Sequence, residues 1–405
     1  MRVLLTEGSS TSAREAITAL ALAGHAVAYC DPAPICLGRF SRLVLRRYRC
    51  PPLGTDPDGF RRFLEQVLER DRFDVLVPIH EQGYLVARIA DRLRPLVALA
   101  APAFAAYDRL QTKLGLHDLL RELGLPQPPA ILLDDAGELA RCERFPFVAK
   151  TVLGTAGRGT WPIRSPAERN RALAEIGAAA AGGPILLQGW VRGPLEQAQA
   201  VFQAGRLVGF HATRRLVEGA GGGAALKESV DRPAIAADLA RIGAHLSWHG
   251  ALSVDYFTNE AGGDPLYIDA NPRLVEPMAA TLAGLNLADR LVRVSLGCDD
   301  LPCASGRPGV RTRLALQALL GTALHHRSRR ALIGTITQLL ADSGPFADAR
   351  EELTPAGLDS PGVVPVVGAA MMLLAWPGSA QAMIGKGWGA HLLTPEAARR
   401  IREMV

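Results

Sequence analysis

Apolar and polar positions along the chain switch between a period of two and a period near 3.6. A buried-strand run at 2–6 (RVLLT) is followed by the polar turn Glu7-Gly8-Ser9-Ser10 and a helical pattern over 12–23. Gly24-His25 then leads into a second strand at 26–29, which ends at Asp31. Strand, turn, helix, strand is a βαβ unit and predicts a parallel sheet. An amphipathic helix at 59–70 and a third strand at 74–78 (DVLVP) extend it, the strand ending at Ile79-His80-Glu81-Gln82. Ligands of such sheets sit beyond the carboxyl ends of the strands. His80 and Glu81 are therefore candidate substrate contacts, with capping of the next helix as the structural alternative. The Gly8 turn lacks GxGxxG, so dinucleotide binding is not supported.

Further on, the pattern predicts one helix over 107–124, closed by Gly124 and the proline-rich LPQPP. FPFVAK (145–150) reads as a strand with Lys150 at its end, and a glycine-rich loop runs from Gly154 to Gly159. Glycines let a backbone approach closely enough for its amides to meet phosphate oxygens. PILLQGWV (184–191) is another strand, and 198–217 reads as a hairpin turning at Gln203-Ala204-Gly205. A glycine run at 219–223 precedes Lys227-Glu228-Ser229, a helix covers 234–248, and 253–273 forms a second hairpin around Gly-Gly-Asp-Pro (262–265). The period of two places Asp269, Asn271 and Arg273 on one face of that hairpin, with Asp255 on its other strand. Two carboxylates, a carboxamide oxygen and a guanidinium suit a hard divalent cation and the phosphates it carries.

This hairpin resembles the metal-binding hairpin of the ATP-grasp superfamily, usually an acidic residue followed by E-x-N-x-R. Here it reads D…D-A-N-P-R, with the shorter Asp in both acidic places. The resemblance implies an α/β fold: a Rossmann-like pre-ATP-grasp domain at 1–105, an ATP-grasp α+β module at 106–300 and a mainly helical extension at 301–405. The module divides into 106–185, with the glycine-rich loop, and 186–300, with the metal hairpin. Lys113 and Lys150 are implied to reach the nucleotide phosphates. Gly154, Thr155, Ala156, Gly157, Arg158 and Gly159 would form the mobile lid, with Arg158 at the γ-phosphate. Gln188, Trp190 and Val191 match the adenine-facing strand. Glu196 is the ribose candidate, one residue off the commoner G-x-E spacing. Asp255, Asp269 and Asn271 are implied to hold Mg²⁺, with Mn²⁺ as the second candidate.

The activity implied is an ATP-dependent carboxylate–amine ligase. It would form an amide or peptide bond through an acyl-phosphate and release ADP and phosphate. Arg273 and Lys227 would stabilise the developing charge, and Arg214 and Ser229 would be further substrate contacts. The alternatives are a kinase-like phosphotransferase of the same fold, or a non-catalytic nucleotide-binding scaffold.

Composition narrows the partners. The 405 residues are 48% apolar and 21% charged, ordinary for a soluble globular protein. The formal charge of +5 is spread over dispersed arginines, which favours small anionic ligands, a carboxylate and an amine substrate beside ATP, over nucleic acid. Six cysteines show no CxxC pair and the N-terminal apolar run is too short for a signal peptide, so a reduced cytoplasmic setting is expected. Residues 361–385 carry no charged side chain. Their dense core, 363–376, would span about 21 Å as a helix against roughly 30 Å of hydrocarbon. A packing element or homodimer interface is the favoured reading, and peripheral membrane contact the alternative.

Overall fold

The computed structural model describes residues 1–154, 159–178, 183–258, 264–299, 301–353, 357–386 and 391–404. By compactness the chain divides into two discontinuous units. Met1–Phe104, Gln197–Ser253 and Arg273–Val405 form the first; Ala105–Glu196 and Val254–Pro272 form the second.

The first unit opens with a parallel sheet of β1 (Arg2–Leu5), β2 (Ala26–Asp31), β3 (Val44–Arg49) and β4 (Val75–Val77), in the order β3-β2-β1-β4. Val3 to Leu5 and Val75 to Val77 are all buried. That is the continuous apolar run of strands covered on both faces. Helix Thr11–Leu22 follows β1, with the Ser10 hydroxyl accepting from the Ala13 amide at 2.9 Å as its N-cap. The strand order reverses between β1 and β4. A ligand crevice belongs at the carboxyl ends of such a pair.

In the second unit, β5 (Ala130–Leu133), β6 (Phe147–Thr151), β7 (Thr160–Ile163) and β8 (Ile185–Gly189) form an antiparallel sheet in the order β5-β8-β6-β7. Its core holds Leu139, Phe147, Ala149, Ile163, Ile176 and Ile185. The single helix expected over 107–124 is instead two, Phe104–Gln111 and Lys113–Glu122. Thr112 takes an extended backbone (φ −104°, ψ 143°), and its hydroxyl accepts from the Gly115 amide at 3.0 Å. A threonine N-cap thus starts a new helix, which moves Lys113 from mid-helix to the first turn.

The first unit's second sheet runs β9 (Leu195–Gln203), β10 (Arg206–Glu218) and β11 (Ala224–Val230). The β9–β10 turn falls where the sequence places it, with Ala204 at φ 47° and Gly205 at φ 85°. Positive φ at both central residues is what a type I′ turn requires. β12 (Gly250–Phe257) and β13 (Leu266–Asn271) form the second hairpin, whose residues 259–263 lie outside the described set. The C-terminal part is helical for most of its length but also supplies β14 (Ala304–Ser305), β15 (Arg311–Arg313) and β16 (Arg350–Glu351). β15 pairs with β11, and β16 with β15. The uncharged block forms helix Val363–Ala375, burying Leu373 in a cluster with Leu319, Leu320 and Leu332 while Met371 (66%) and Trp376 (72%) stay exposed. Among the described residues no helix is long and apolar enough to cross a membrane.

One buried knot ties the C-terminal part to the first sheet. The Asp359 carboxylate accepts from the Arg14 guanidinium at 2.5 Å, the Ser41 hydroxyl at 2.5 Å and the Arg42 amide at 3.0 Å. Both charged side chains are shielded from water. Removing one member of such a pair leaves the other charge buried without its partner. Asp359→Ala is expected to lower stability by about 3–5 kcal/mol, read as a lower midpoint in urea unfolding. Surface Asp118→Ala is expected to change it by less than about 0.5 kcal/mol.

Candidate functional site

The chain contains only four lysines among its 45 basic residues. Lys113, Lys150 and Lys227 are each less than a tenth exposed, where lysine is almost never found unless paired. Their partners define the candidate sites of each unit.

In the second unit two ammonium groups meet β13. Lys113, set by the Thr112 cap and by its own amide donating to the Val152 carbonyl at 2.9 Å, forms an ion pair with Asp269. Lys150, at the end of β6 as the sequence predicts, donates to the Ile268 carbonyl at 2.6 Å. Burial pulls Lys150 down to about 8; the charge of Lys113 adds to that effect, while Asp269 and Asp255 oppose it. Asp255 on β12 and Asp269 on β13 therefore act on the same ammonium. Asn271 shares the face of Asp269 two residues on. Among the described residues no three His, Cys, Asp or Glu side chains cluster as a metal centre. The mixed set Asp255, Asp269 and Asn271 is made of hard oxygen donors, and its chemistry fits Mg²⁺.

The nucleotide candidates lie in the same unit. Gln188 is buried on β8, in register with Ala130 on one side and Val148 on the other. Trp190 is covered by the Arg164 guanidinium, 4.7 Å from its ring centroid, and Val191 follows it. Glu196 is buried and accepts from the Thr258 hydroxyl at 3.4 Å. Of the lid residues, Gly154 and Gly159 are described, and Thr155, Ala156, Gly157 and Arg158 lie outside the described set. Gly159 has φ +75°, and a Cβ there would meet the Thr151 hydroxyl oxygen at 2.4 Å. Only glycine fits that end of the β6–β7 connection.

In the first unit the crevice at the carboxyl ends of β1, β2 and β4 is packed with polar groups. Asp31 accepts from the amides of Gly8 (2.9 Å) and Ala33 (2.7 Å) and from the Ser9 hydroxyl (2.8 Å). His391 lies with Nε2 3.4 Å from Asp31, Nδ1 3.4 Å from Glu7, and the Gln82 amide 2.9 Å from Nδ1. Burial disfavours the charged ring, but the Asp31 hydrogen bond and the Glu7 charge outweigh it and hold His391 above its ordinary value. His80 is pushed well down by burial, then by the charges of Arg273 and His391. It is therefore a neutral imidazole in physiological conditions. Arg273 thus stands among His80 and Glu7, whose carboxyl burial raises and Arg273 lowers. Glu81 does not cap its helix; its carboxylate accepts from the Leu393 amide.

Lys227 on β11 is ion-paired to Glu276 and lies 3.0 Å from Glu352. Burial alone would neutralise it, but Glu276, Glu352 and Glu15 together hold it above its ordinary value. Ser229, two residues on, shares its face and lies 3.5 Å from His211 Nε2. Arg214 pairs with Glu228 and so points to the opposite face of β10 and β11 from Lys227 and Ser229. Sequence reasoning missed Glu7, Asp31 and His391 as one cluster, and Glu15, Glu276 and Glu352 as another. Only Glu276 carried a signal, three residues past Arg273 and before a proline.

This arrangement is built on the ATP-grasp fold. It matches, at a TM-score of 0.61 and 15% identity, the biotin carboxylase domain of the Hydrogenobacter thermophilus 2-oxoglutarate carboxylase, solved with MgADP and bicarbonate, over 76% of this chain and 73% of that one. N5-carboxyaminoimidazole synthetase from Staphylococcus aureus, complexed with ADP, gives 0.61 at 14% identity over 79% and 84%. An L-amino acid ligase from Bacillus licheniformis gives 0.58 at 14% over 73% and 75%. No protein-family model matches the chain, and no curated protein matches its sequence.

The position of Lys150 is testable directly. With so few lysines, ¹⁵N-lysine spectra assigned by Lys→Arg variants are expected to show Lys150 titrating near 8 while an exposed lysine titrates near 10.4. Its folded value is depressed, so it opposes folding fully below pH 8, and that cost fades as pH rises toward the unfolded value. Lys150→Met is accordingly expected to raise Tm at pH 7 and to lose this advantage above pH 10.

Proposed function

We propose that the protein is an ATP-dependent carboxylate–amine ligase, activating an acid as its acyl-phosphate and releasing ADP and phosphate as an amide or peptide bond forms. One observation carries this reading: two buried ammonium groups, Lys113 and Lys150, reach the strand that bears Asp269, within the electrostatic range of Asp255. Paired lysines beside paired acids are the groups that a metal-bound polyphosphate needs. The fold shared with an L-amino acid ligase and with ADP complexes supports it.

On this reading Lys113 and Lys150 hold the nucleotide's phosphates, and their present contacts, to Asp269 and Ile268, keep them oriented until the nucleotide arrives. Asp255, Asp269 and Asn271 would hold Mg²⁺, which when bound neutralises charge on the β- and γ-phosphates. Gln188, Trp190 and Val191 offer an amide and apolar surface to adenine, and Glu196 an acceptor to the ribose hydroxyls. The ADP-bound neighbours support ATP as substrate. Lys227 serves as a fixed positive charge, since three acids hold its proton in place. It stabilises negative charge on the acyl-phosphate and does not act as a base. Arg273 serves beside His80, the neutral ring contacting substrate without competing for its anionic groups. The chain's functional segments are then 1–105, 106–300 and 301–405.

The test is ADP release from Mg²⁺-ATP over a panel of carboxylic acids and amines. ADP formed only when acid and amine are both present is the expected result, and Asp269→Ala is expected to reduce the rate at least 100-fold, about 2.7 kcal/mol in the barrier. ADP formed with acid alone would instead show a phosphotransferase. Tight nucleotide binding without turnover for any pair would show a nucleotide-binding scaffold.

A further inference from the structure

The C-terminal part of the chain reaches the buried lysine of β11. Glu352 follows β16 directly, and its amide donates to the Arg313 carbonyl of β15 at 3.0 Å. This places its carboxylate, wholly shielded from water, 3.0 Å from the Lys227 ammonium. Glu276 binds the same ammonium from the segment after β13, and Glu15 acts on it from helix Thr11–Leu22. Three acids around one ammonium carry more negative charge than it cancels. Buried charge of that kind is relieved by retaining protons on the acids.

We infer that Glu352 is a positioning residue for Lys227: it and Glu276 grip the ammonium from two sides and fix where its charge points. The grip requires the protein's last hundred residues, so the C-terminal part completes a group that the ATP-grasp strands present. For the consequence in turnover this rests on the ligase reading; for the placement of the ammonium it does not.

The groups facing Glu352 are Lys227, Glu276 and Glu15, with the Thr312 hydroxyl on β15 and the adjoining Glu351. His211 faces Lys227 from β10 but is pushed down to about 3 by burial and by that ammonium, so it stays neutral. Burial raises Glu352 to about 7 against the opposing pull of Lys227, while Glu15 is held well above its ordinary value, first by burial and then by Glu352 and Glu276. The adjoining Glu351 is raised by burial to about 8, but among the acids that act on Lys227 it is Glu352 whose raised value lies near neutrality. With a raised folded value, its contribution to stability is complete below the ordinary carboxylate range and is lost as pH rises through 7.

The experiment follows the Lys227 ammonium in ¹⁵N-lysine spectra of the full chain from pH 5 to 9, assigned by Lys227→Arg, in wild type, Glu352→Gln and Glu352→Asp. The expected result is a resonance that shifts with a midpoint near 7 in wild type, no such shift in Glu352→Gln, and a displaced midpoint in Glu352→Asp. Turnover is read beside it: Glu352→Gln is expected to lower kcat about tenfold with the ATP KM unchanged within twofold, and Glu352→Asp to recover part of the loss. A Lys227 resonance that does not shift in wild type, or that shifts identically in Glu352→Gln, overturns the inference, as does an unaltered kcat in a folded Glu352→Gln that turns over. If the spectra behave as expected and no acid–amine pair releases ADP, the ligase reading fails while the positioning of Lys227 stands. Far-UV circular dichroism and Tm identify any variant that does not fold, and Glu352→Asp then carries the comparison.

Discussion

A lysine ammonium can be buried only where oxygen atoms meet it, and Lys113, Lys150 and Lys227 are all buried. Taking such a charge out of water costs several kcal/mol per ion unless close oppositely charged or polar partners answer it. That requirement dictates where loops end and strands begin. Thr112 must break the helix so that Lys113 starts one and reaches Asp269. β6 must end at the level where Lys150 meets the carbonyl before Asp269. β15 and β16 must add to β11 so that Glu352 meets Lys227. Elsewhere the chain uses arginine, whose planar fork suits exposed pairs such as Arg121 with Asp118.

Stability alone does not explain these sets. A buried ion pair is often replaceable by apolar residues of similar volume without loss. Arg14 with Asp359 is the contrasting case: a buried knot that includes the Ser41 hydroxyl and the Arg42 amide and fastens one segment to another. The Lys113–Asp269 and Lys150–Ile268 contacts differ, because the partners are themselves at the end of a strand that carries further oxygen donors. Pairing there holds both ammonium groups against β13, beside Asp269.

What the sequence made legible was local. Lys150 at a strand end, the glycines after it, and the D…D-x-N spacing of β12 and β13 follow from periods of two and turn chemistry within some twenty residues. The β9–β10 turn was equally visible, since Ala204-Gly205 sits between two alternating runs. Thr112 was not, because an unbroken helical period ran across it and an N-cap leaves no mark in such a pattern. The acids around Lys227 were hidden for another reason. Glu15 lies in a helix buried from Thr11 to Leu20, and Glu351-Glu352 is a bare charged pair in sequence, while their partner is more than a hundred residues away. Nothing in periodicity reports a contact of that sequence separation.

The same logic separates the two histidines of the first crevice. His391 and His80 are both buried, yet one is shifted up from its ordinary value and the other well down. The difference lies in their neighbours: Asp31 and Glu7 flank His391, whereas His80 feels Arg273 and His391 itself. Positive charge on His391 disfavours positive charge on His80, since like charges shielded from water repel strongly. The strand ends thereby carry one imidazole held between two acids and one neutral ring beside an arginine. His391 comes from the C-terminal part, as do Glu352 and Asp359, so that part supplies partners to Asp31 and Glu7, to Lys227 and to Arg14. The segment expected as a mainly helical extension with an uncharged stretch thus also brings charged side chains to the first unit's strands.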